Sequence, residues 1–239
     1  MHTPAYKRVL LKLSGEALMG EQKFGIEQHA CQTIAQAIKE VYALGVQMGI
    51  VVGGGNIFRG NQADAFGFSR TPADHIGMLA TTINGLILQQ TLASLGVESR
   101  VMSALNTDSI VEPYHWGHAL HSLQKGVIVI FVGGTGNPYF TTDSAAALRA
   151  CEIKADVVLK ATKVDGIFSE DPKKNPKAEK FEQLTYSEVL AKKLNVMDAT
   201  AIALCRENQI PICIFNLFEQ GAMLQAVCGQ QKGSLVKGG

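Results

Sequence analysis

Short apolar runs alternate with amphipathic segments along most of the chain. A continuous apolar run is typical of a strand that is buried on both faces, whereas apolar residues spaced three and four apart predict a helix. Glycine follows several of these segments, as expected at turns and helix ends. The predicted strands are 9–13, 46–52, 98–103, 127–132, 157–160, 212–215 and 234–236, and the predicted helices are 27–44, 74–96, 115–123, 144–152, 187–194, 199–208 and 221–227.

This alternation predicts an α/β fold, a three-layer sandwich in which a mostly parallel sheet carries helices on both faces. The chain has 239 residues, which we interpret as a single domain spanning residues 1–239. The loop at 169–180 is rich in Pro and Lys, and we expect it to be a connection within that domain. In such folds ligands bind at the carboxyl ends of the strands.

Four of the predicted strands end in turns made of small residues or of Lys and Thr. One glycine turn after a strand is a weak signal, but four of them would lie along one edge of the sheet. Backbone N–H groups and helix N-termini at that edge can hold several phosphates. No GxxxxGK[ST] motif occurs, and GxGxxG spacing is absent as well, which argues against a Walker-type NTPase and a dinucleotide-binding fold. The four segments are LLKLSGEA, IVVGGGNIFRG, VIFVGGTGNPYFTTDSAA and VVLKATKVDG.

Two lysines, Lys12 and Lys160, occupy unusual positions in these apolar runs. An ammonium group buried without a partner is strongly unfavourable, so a buried lysine here needs an anion. Each lysine by itself could instead extend to solvent at the rim of the sheet. Together, beside turns suited to phosphate, they favour contact with phosphate groups over that solvent-exposed arrangement.

The charge balance gives no indication of a nucleic-acid or membrane surface, because the net charge is only +1. The lysines of the 171–180 loop lack interleaved aromatic residues, which favours a solvated loop. The segment 76–95 is apolar but contains Asn84, Gln89 and Gln90, so a buried or subunit-facing helix is the better interpretation.

The N-terminal segment MHTPAYKR has no apolar core of a signal peptide, and we expect a cytoplasmic protein. Five cysteines lie in apolar surroundings without a CxxC pair, which predicts buried free thiols and no metal site.

Six segments together resemble the amino-acid kinase superfamily and, within it, the bacterial uridylate (UMP) kinase family. The resemblance extends from about Tyr6 to Val236, and the pairing of GTGNPYFTTD with KATKVDG is specific. It implies the amino-acid kinase fold and transfer of the γ-phosphoryl group of ATP to UMP. It also implies an acceptor side at about 1–150 and an ATP side at about 151–239. The segments are 6–18, 53–60, 74–81, 133–150, 155–168 and 184–190.

The resemblance also implies a role for individual residues. Lys12, Asp143 and Lys160 would be catalytic, with Asp143 holding the two lysines in position. Magnesium would arrive with ATP and would have no protein ligand. The implied ATP-binding residues are Lys12, Leu13, Ser14, Gly15, Gly55, Arg59, Thr162, Phe168 and Asp171. The implied UMP-binding residues are Gly54, Arg59, Asp74, Thr135, Gly136, Asn137, Pro138, Tyr139, Phe140, Thr141 and Thr142.

Simpler interpretations remain open for several of these residues. Asp74, Asp143 and Asp198 each precede or begin a predicted helix and could serve as N-terminal caps, although Asp198 could also support the ATP side. Arg59 could be a surface arginine, and Phe168 could belong to the core. A kinase that makes acyl phosphates and a non-catalytic nucleotide-binding or oxyanion-storage protein are the alternative functions.

The resemblance further implies a homohexamer that responds to GTP as an activator and to UTP as an inhibitor. The segment GEQKFG at 20–25 matches the region linked to the activator. The chain has Gln89 and Gln90 on the long helix, where many family members carry an acidic residue just after position 89.

Overall fold

The computed structural model describes residues 3–58, 65–170, 172, 174–175, 177–194, 196–230 and 233–238. The described strands are β1 (Arg8–Leu13), β2 (Gln47–Val52), β3 (Ser99–Ser103), β4 (Glu112–Pro113), β5 (Ile128–Val132), β6 (Val157–Thr162), β7 (Ile167–Phe168), β8 (Lys180–Phe181), β9 (Gln183–Thr185), β10 (Ile212–Asn216) and β11 (Ser234–Lys237). The described α-helices are α1 (Gln28–Tyr42), α2 (Arg70–Ser94), α3 (Trp116–Gln124), α4 (Thr142–Glu152), α5 (Tyr186–Ala191), α6 (Ala199–Glu207) and α7 (Ala222–Val227), and a 3₁₀ helix spans Gly15–Met19.

Nine of these strands form one sheet in the order β4-β3-β5-β2-β1-β6-β10-β11-β9. Every neighbouring pair is parallel except β10 and β11, so the predicted mostly parallel sheet is confirmed. β7 and β8 form a separate antiparallel pair in which Ile167 lies opposite Phe181. The loop that the sequence predicts at 169–180 therefore connects the two strands of this pair, and its last residue, Lys180, belongs to β8.

The alternation of side chains along β1 explains the three layers. Val9, Leu11 and Leu13 point to one face, where they join a core covered by α1, α2 and α7. Leu10 points to the other face, which α3, α4, α5 and α6 cover. All four of these side chains are fully buried, as the continuous apolar run predicts.

The sequence pattern missed the shortest strands and misplaced the start of α2. Strands β4, β7, β8 and β9 have only two or three residues each, too few to display a period. α2 begins at Arg70, with Ser69 as its N-cap, so the interpretation of Asp74 as a helix cap is wrong. Pro72 is accommodated in the first turn because the N–H that proline lacks has no intrahelical partner there.

All five cysteines are free thiols. Cys31, Cys205 and Cys213 are buried, whereas Cys151 and Cys228 are only partly buried, so the expectation of buried thiols is correct for three of the five. Burial raises the pKa of Cys213 to about 11. No helix among the described residues is both long and apolar enough to cross a membrane.

Candidate active site

Lys12 and Lys160 lie side by side near the carboxyl ends of the two central strands. β1 and β6 pair in parallel with Lys12 directly opposite Lys160, so both side chains leave the same face of the sheet. Lys12 is 9% exposed, and the Lys160 side chain is 15% exposed. Two ammonium groups this close repel each other unless an anion lies between them.

Asp143 supplies that anion from the first turn of α4. Its Oδ1 lies 2.7 Å from Lys12 Nζ, and its Oδ2 accepts a hydrogen bond of 2.8 Å from Lys160 Nζ. Lys160 also donates to the backbone carbonyl of Val196. Burial raises the pKa of Asp143, but the charges of Lys12 and Lys160 outweigh it, so the pKa lies below its ordinary value of 3.8. The carboxylate is therefore charged at neutral pH.

The pKa of Lys160 is shifted by the same cluster. Burial lowers it below the ordinary value of 10.5, Asp143 opposes that shift, and the neighbouring Lys12 adds to it. Lys160 contacts the Asp143 carboxylate and the Val196 carbonyl directly, and the charge of Asp198 also favours its protonated form. Such a group gains stabilisation when further negative charge, such as a phosphate oxygen, approaches it.

The first turn of α4 is fixed by Thr141 and Asp198. Thr141 is the N-cap of α4, and its Oγ1 accepts from the N–H of Asp143 at 3.0 Å. Asp198 accepts hydrogen bonds from the hydroxyl groups of Thr141 and Ser144, the latter at 2.9 Å. Asp198 also caps α6 by accepting from the N–H of Ala201 at 2.8 Å, which confirms its interpretation as a cap. One carboxylate thus joins the N-termini of two helices beside the lysine cluster.

A cavity of about 500 Å³ opens beside Lys160 on the carboxyl-terminal half of the chain. Thr162 and Phe168, which the sequence assigned to ATP, line this cavity, and Phe168 is only partly buried. A second cavity, of about 270 Å³, contacts Lys12, Ser14 and Lys160. Lys160 and Thr162 line both cavities. We refer to the two cavities together as the donor cleft, after the ATP-binding role that the family resemblance implies for these residues.

Sequence reasoning missed three further lysines of the donor cleft. Lys163 lines the smaller cavity, and Lys192 and Lys193 line the larger one. Lys163 directly follows β6 within KATKVDG, three residues after Lys160, and this short distance along the chain could have identified it as a residue of the site. Lys192 and Lys193 follow α5 and come close only through folding, which no local pattern reveals.

A further cavity, of about 290 Å³, is lined by Thr141 and Thr142, which directly precede Asp143. We call it the acceptor cleft, after the UMP-binding role that the family resemblance implies for several of its residues. Its walls include seven residues that the sequence assigned to UMP: Gly54, Asp74, Thr135, Asn137, Phe140, Thr141 and Thr142. Gly55, which the sequence assigned to ATP, also lines this cleft. Phe58, Arg70, Ala73, Gly77, Met78, Thr81 and Gly134 are lining residues that the sequence reasoning did not identify.

Asp74 accepts three hydrogen bonds on the wall of the acceptor cleft. Arg70, one helical turn earlier, donates from Nε to both of its carboxylate oxygens at 3.0 and 2.8 Å. The backbone N–H of Tyr139 donates to Oδ2 at 2.7 Å, and the Arg70 guanidinium lies 5.4 Å from the centre of the Tyr139 ring. Tyr139 has a φ of 72°, a left-handed conformation that is uncommon outside glycine. Asp74 therefore anchors the turn that carries Asn137 and Phe140.

The remaining predicted residues are buried, lie in the turn at 133–139 or lie outside the described part of the chain. Leu13 and Gly15 are buried and line neither cleft. Gly136 and Pro138 belong to the same turn as Asn137. Arg59 and Asp171 lie outside the described residues. Among the described residues, no three His, Cys, Asp or Glu side chains are close enough together to hold a metal ion.

Two clefts that adjoin a bridged lysine pair are an arrangement suited to moving a phosphoryl group between two substrates. The sequence profile of the amino acid kinase family matches residues 7–216. The chain belongs to the amino acid kinase family. This amino acid kinase is 62% identical over 211 residues to a protein of Protochlamydia amoebophila named uridylate kinase, an alignment that covers 88% of the chain and 84% of the relative. It is 54% identical over 231 residues to the uridylate kinase of Magnetococcus marinus, covering 97% and 96%.

Solved structures agree with these sequence relatives. The amino acid kinase superposes on the crystal structure of UMP kinase from Bacillus anthracis with a TM-score of 0.95 at 41% identity, over 97% of this chain and 96% of that one. The crystal structure of UMP kinase from Ureaplasma parvum superposes with a TM-score of 0.92 at 37% identity, over 99% and 100%. The predicted α/β amino-acid kinase fold is confirmed.

Proposed function

We propose that this amino acid kinase is a UMP kinase, which transfers the γ-phosphoryl group of ATP to UMP and yields ADP and UDP. The observation that carries the proposal is the Lys12–Asp143–Lys160 cluster, which adjoins both clefts. Lys160 lines the donor cleft, while Thr141 and Thr142, beside Asp143, line the acceptor cleft. The uridylate and UMP kinases among the relatives support UMP as the acceptor.

On the donor side, the ATP phosphates lie over the turn at Ser14 and Gly15. Lys12 and Lys160 neutralise the charge that develops on the transferred group, and Asp143 holds both ammonium groups in place before ATP arrives. Such preorganised charge is the principal contribution a protein makes to phosphoryl transfer. Thr162, Phe168 and Asp171 contact the nucleoside part of ATP in this proposal.

On the acceptor side, Asp74 accepts from the ribose hydroxyl groups and Arg59 grips the UMP phosphate. Gly54 and Thr142 also contact that phosphate, and Asn137 reads the edge of the base. The position of Asp74 on the wall of the acceptor cleft supports its part of this assignment. The attacking oxygen belongs to a phosphate that is already ionised, so the reaction requires no general base.

Magnesium enters with ATP as part of the substrate. The residues present do not favour a separate protein-held ion, since the Asp143 carboxylate is already paired with two lysines. Carboxylate oxygens are the protein ligands that Mg²⁺ prefers, and Asp143 has none to spare.

The test is ADP release from Mg-ATP by the purified protein, with UMP, CMP, dTMP, carbamate and N-acetylglutamate offered in parallel. Turnover confined to UMP is the expected result. Turnover with carbamate or with the carboxylate instead would retain the roles of the lysines but overturn those of Arg59 and Asp74. Absence of turnover from folded protein that binds ATP would favour the non-catalytic alternative.

The family resemblance extends the proposal to assembly and context. We propose a homohexamer in the cytoplasm, with GTP and UTP as effectors and a place in pyrimidine nucleotide biosynthesis. The single domain has its acceptor side at about 1–150 and its ATP side at about 151–239. In support, the acceptor cleft is lined by residues 54–142, and the larger donor cavity by residues 160–214.

A further inference from the structure

Two buried asparagines, Asn56 and Asn84, form a reciprocal pair beneath the glycine turns. Asn56 Nδ2 donates to Asn84 Oδ1 at 3.0 Å, and Asn84 Nδ2 donates to Asn56 Oδ1 at 2.7 Å. Asn56 is 2% exposed and Asn84 is 0% exposed. Neither residue touches a cleft, and nothing in the proposed reaction uses them so far.

The second N–H of each amide donates a hydrogen bond to a backbone carbonyl group. Asn84 donates to Gly53 at 2.7 Å, and Asn56 donates to Gly25 at 2.9 Å. Since an amide nitrogen has two N–H donors, all four donors of the pair are satisfied. The pair therefore fixes α2, which carries Asn84, to the turn after β2 and to the 20–25 segment.

The turn after β1 rests directly on this pair. A methyl group added at Gly15 would lie 2.5 Å from Asn56 Oδ1 and 2.6 Å from the carbonyl oxygen of Gly53. The N–H of Gly53 also donates to the carbonyl of Leu13 at 2.9 Å. One side of the pair thus supports the Ser14–Gly15 turn of the donor cleft, while Gly53 leads into Gly54 and Gly55 of the acceptor cleft.

We infer that Asn56 and Asn84 are positioning residues that set the separation between the ATP phosphate turn and the acceptor phosphate turn. The inference rests on the proposed function, in which these two turns hold the reacting phosphates. Transfer requires the reacting atoms to be held about 3–3.5 Å apart, and a displacement of about 1 Å costs roughly 10²-fold in rate. Each turn can still bind its own nucleotide when their separation changes.

The test compares Asn84→Leu and Asn84→Ser with the wild-type protein. Leu removes the amide within a similar volume, and Ser leaves room for water should the Leu variant fail to fold. We expect kcat to fall about 10- to 100-fold. Dissociation constants for UMP and for a non-hydrolysable ATP analogue, measured by titration calorimetry, are expected to change less than about threefold, because each turn binds alone.

Two variants on the same helix serve as controls. Thr82→Val alters a buried hydroxyl that has no hydrogen-bond partner among the described residues. Leu88→Ala removes a fully buried core side chain and lowers Tm without touching the glycine turns. Both controls are expected to keep a kcat within twofold of wild type.

The inference is overturned if both Asn84 variants keep a kcat within twofold of wild type. It is also overturned if Leu88→Ala loses as much kcat as an Asn84 variant of similar Tm, because the effect would then follow stability. Wild-type turnover with an acceptor other than UMP would overturn the proposed substrate, and the variants would be compared with that acceptor. If the wild-type protein turns over none of the acceptors, both the proposed function and the inference about Asn56 and Asn84 are overturned.

Discussion

Lys12 and Lys160 are direct neighbours across two parallel strands, and both bind the same carboxylate, that of Asp143. Lysines at paired positions of a sheet interior repel each other, so the arrangement is stable only with a bridging anion. One carboxylate balances one of the two positive charges. The remaining positive charge favours the approach of phosphate. The pairing of the two lysines on adjacent strands thus provides the charge that phosphoryl transfer requires.

Replacement of Lys12 by Ala is expected to lower kcat by about 10²–10³, the scale for removal of one preorganised charge-stabilising donor. The reason is that Lys12 would no longer neutralise the transferred phosphoryl group. Steady-state ADP release at saturating UMP and ATP measures kcat, and circular dichroism verifies that the variant is folded. Lys125→Ala is the matched control. Lys125 is exposed and lies before the amino end of β5, whereas Lys12 lies near the carboxyl end of β1. Turnover near the wild-type rate in Lys12→Ala would remove Lys12 from the mechanism.

Replacement of Asp143 by Asn is expected to lower the free energy of unfolding at pH 7, on the order of 3 kcal/mol, because two buried cations lose their anion. The difference from wild type depends on pH. The pKa of Asp143 in the folded state lies below 3.8, so its stabilising contribution is present above that value and is lost as the pH falls through the folded-state pKa.

Urea unfolding over a pH series measures this dependence. The stability difference between wild type and Asp143→Asn should be constant between about pH 5 and pH 7 and should shrink below about pH 4. A difference that grows on acidification would contradict the assigned direction of the pKa shift.

Replacement of Asp74 by Asn is expected to raise the KM for UMP about tenfold or more, the scale for loss of a hydrogen bond to a charged group. The KM for ATP should stay unchanged, because Asp74 lines only the acceptor cleft among the cavities described. Initial rates with each substrate varied in turn measure both constants, and the exposed Asp108→Asn is the control. A rise in the KM for ATP without a rise in the KM for UMP would show that Asp74 had been assigned to the wrong substrate.

Replacement of Asp198 by Ala is expected to lower the free energy of unfolding by about 1 kcal/mol, as for loss of an N-cap. It should also lower kcat, because Thr141 and Ser144 lose the carboxylate that fixes the first turn of α4, where Asp143 lies. Glu27→Ala removes the N-cap side chain of α1 and should lower stability while leaving kcat unchanged. Equal kcat values for Asp198→Ala and Glu27→Ala would show that Asp198 acts only as a helix cap.

The longer elements of the fold could be predicted because each carries its own repeated pattern. The run at 9–13 is apolar at every position but Lys12, and β1 is buried on both faces, as expected. β4 and β9 escaped prediction because two or three residues have no period and pair only with strands brought close by folding. The first turn of α2 escaped prediction because its apolar pattern begins only after Arg70, Thr71 and Pro72.

The sequence by itself determined the local chemistry of the site: two lysines in buried strands, glycine turns at the carboxyl ends, and an acidic residue in the first turn of α4. Apolar periodicity and the steric freedom of glycine act over a few residues, so they can be read from the chain alone. Only the tertiary structure decided that Lys12 lies directly opposite Lys160 on the neighbouring strand and that Asn56 and Asn84 join two turns. The family resemblance implied that Asp143 holds the two lysines, and the structure supplies the distances between them. Those relationships depend on strand order and on packing between residues far apart in the chain, which a local pattern does not encode.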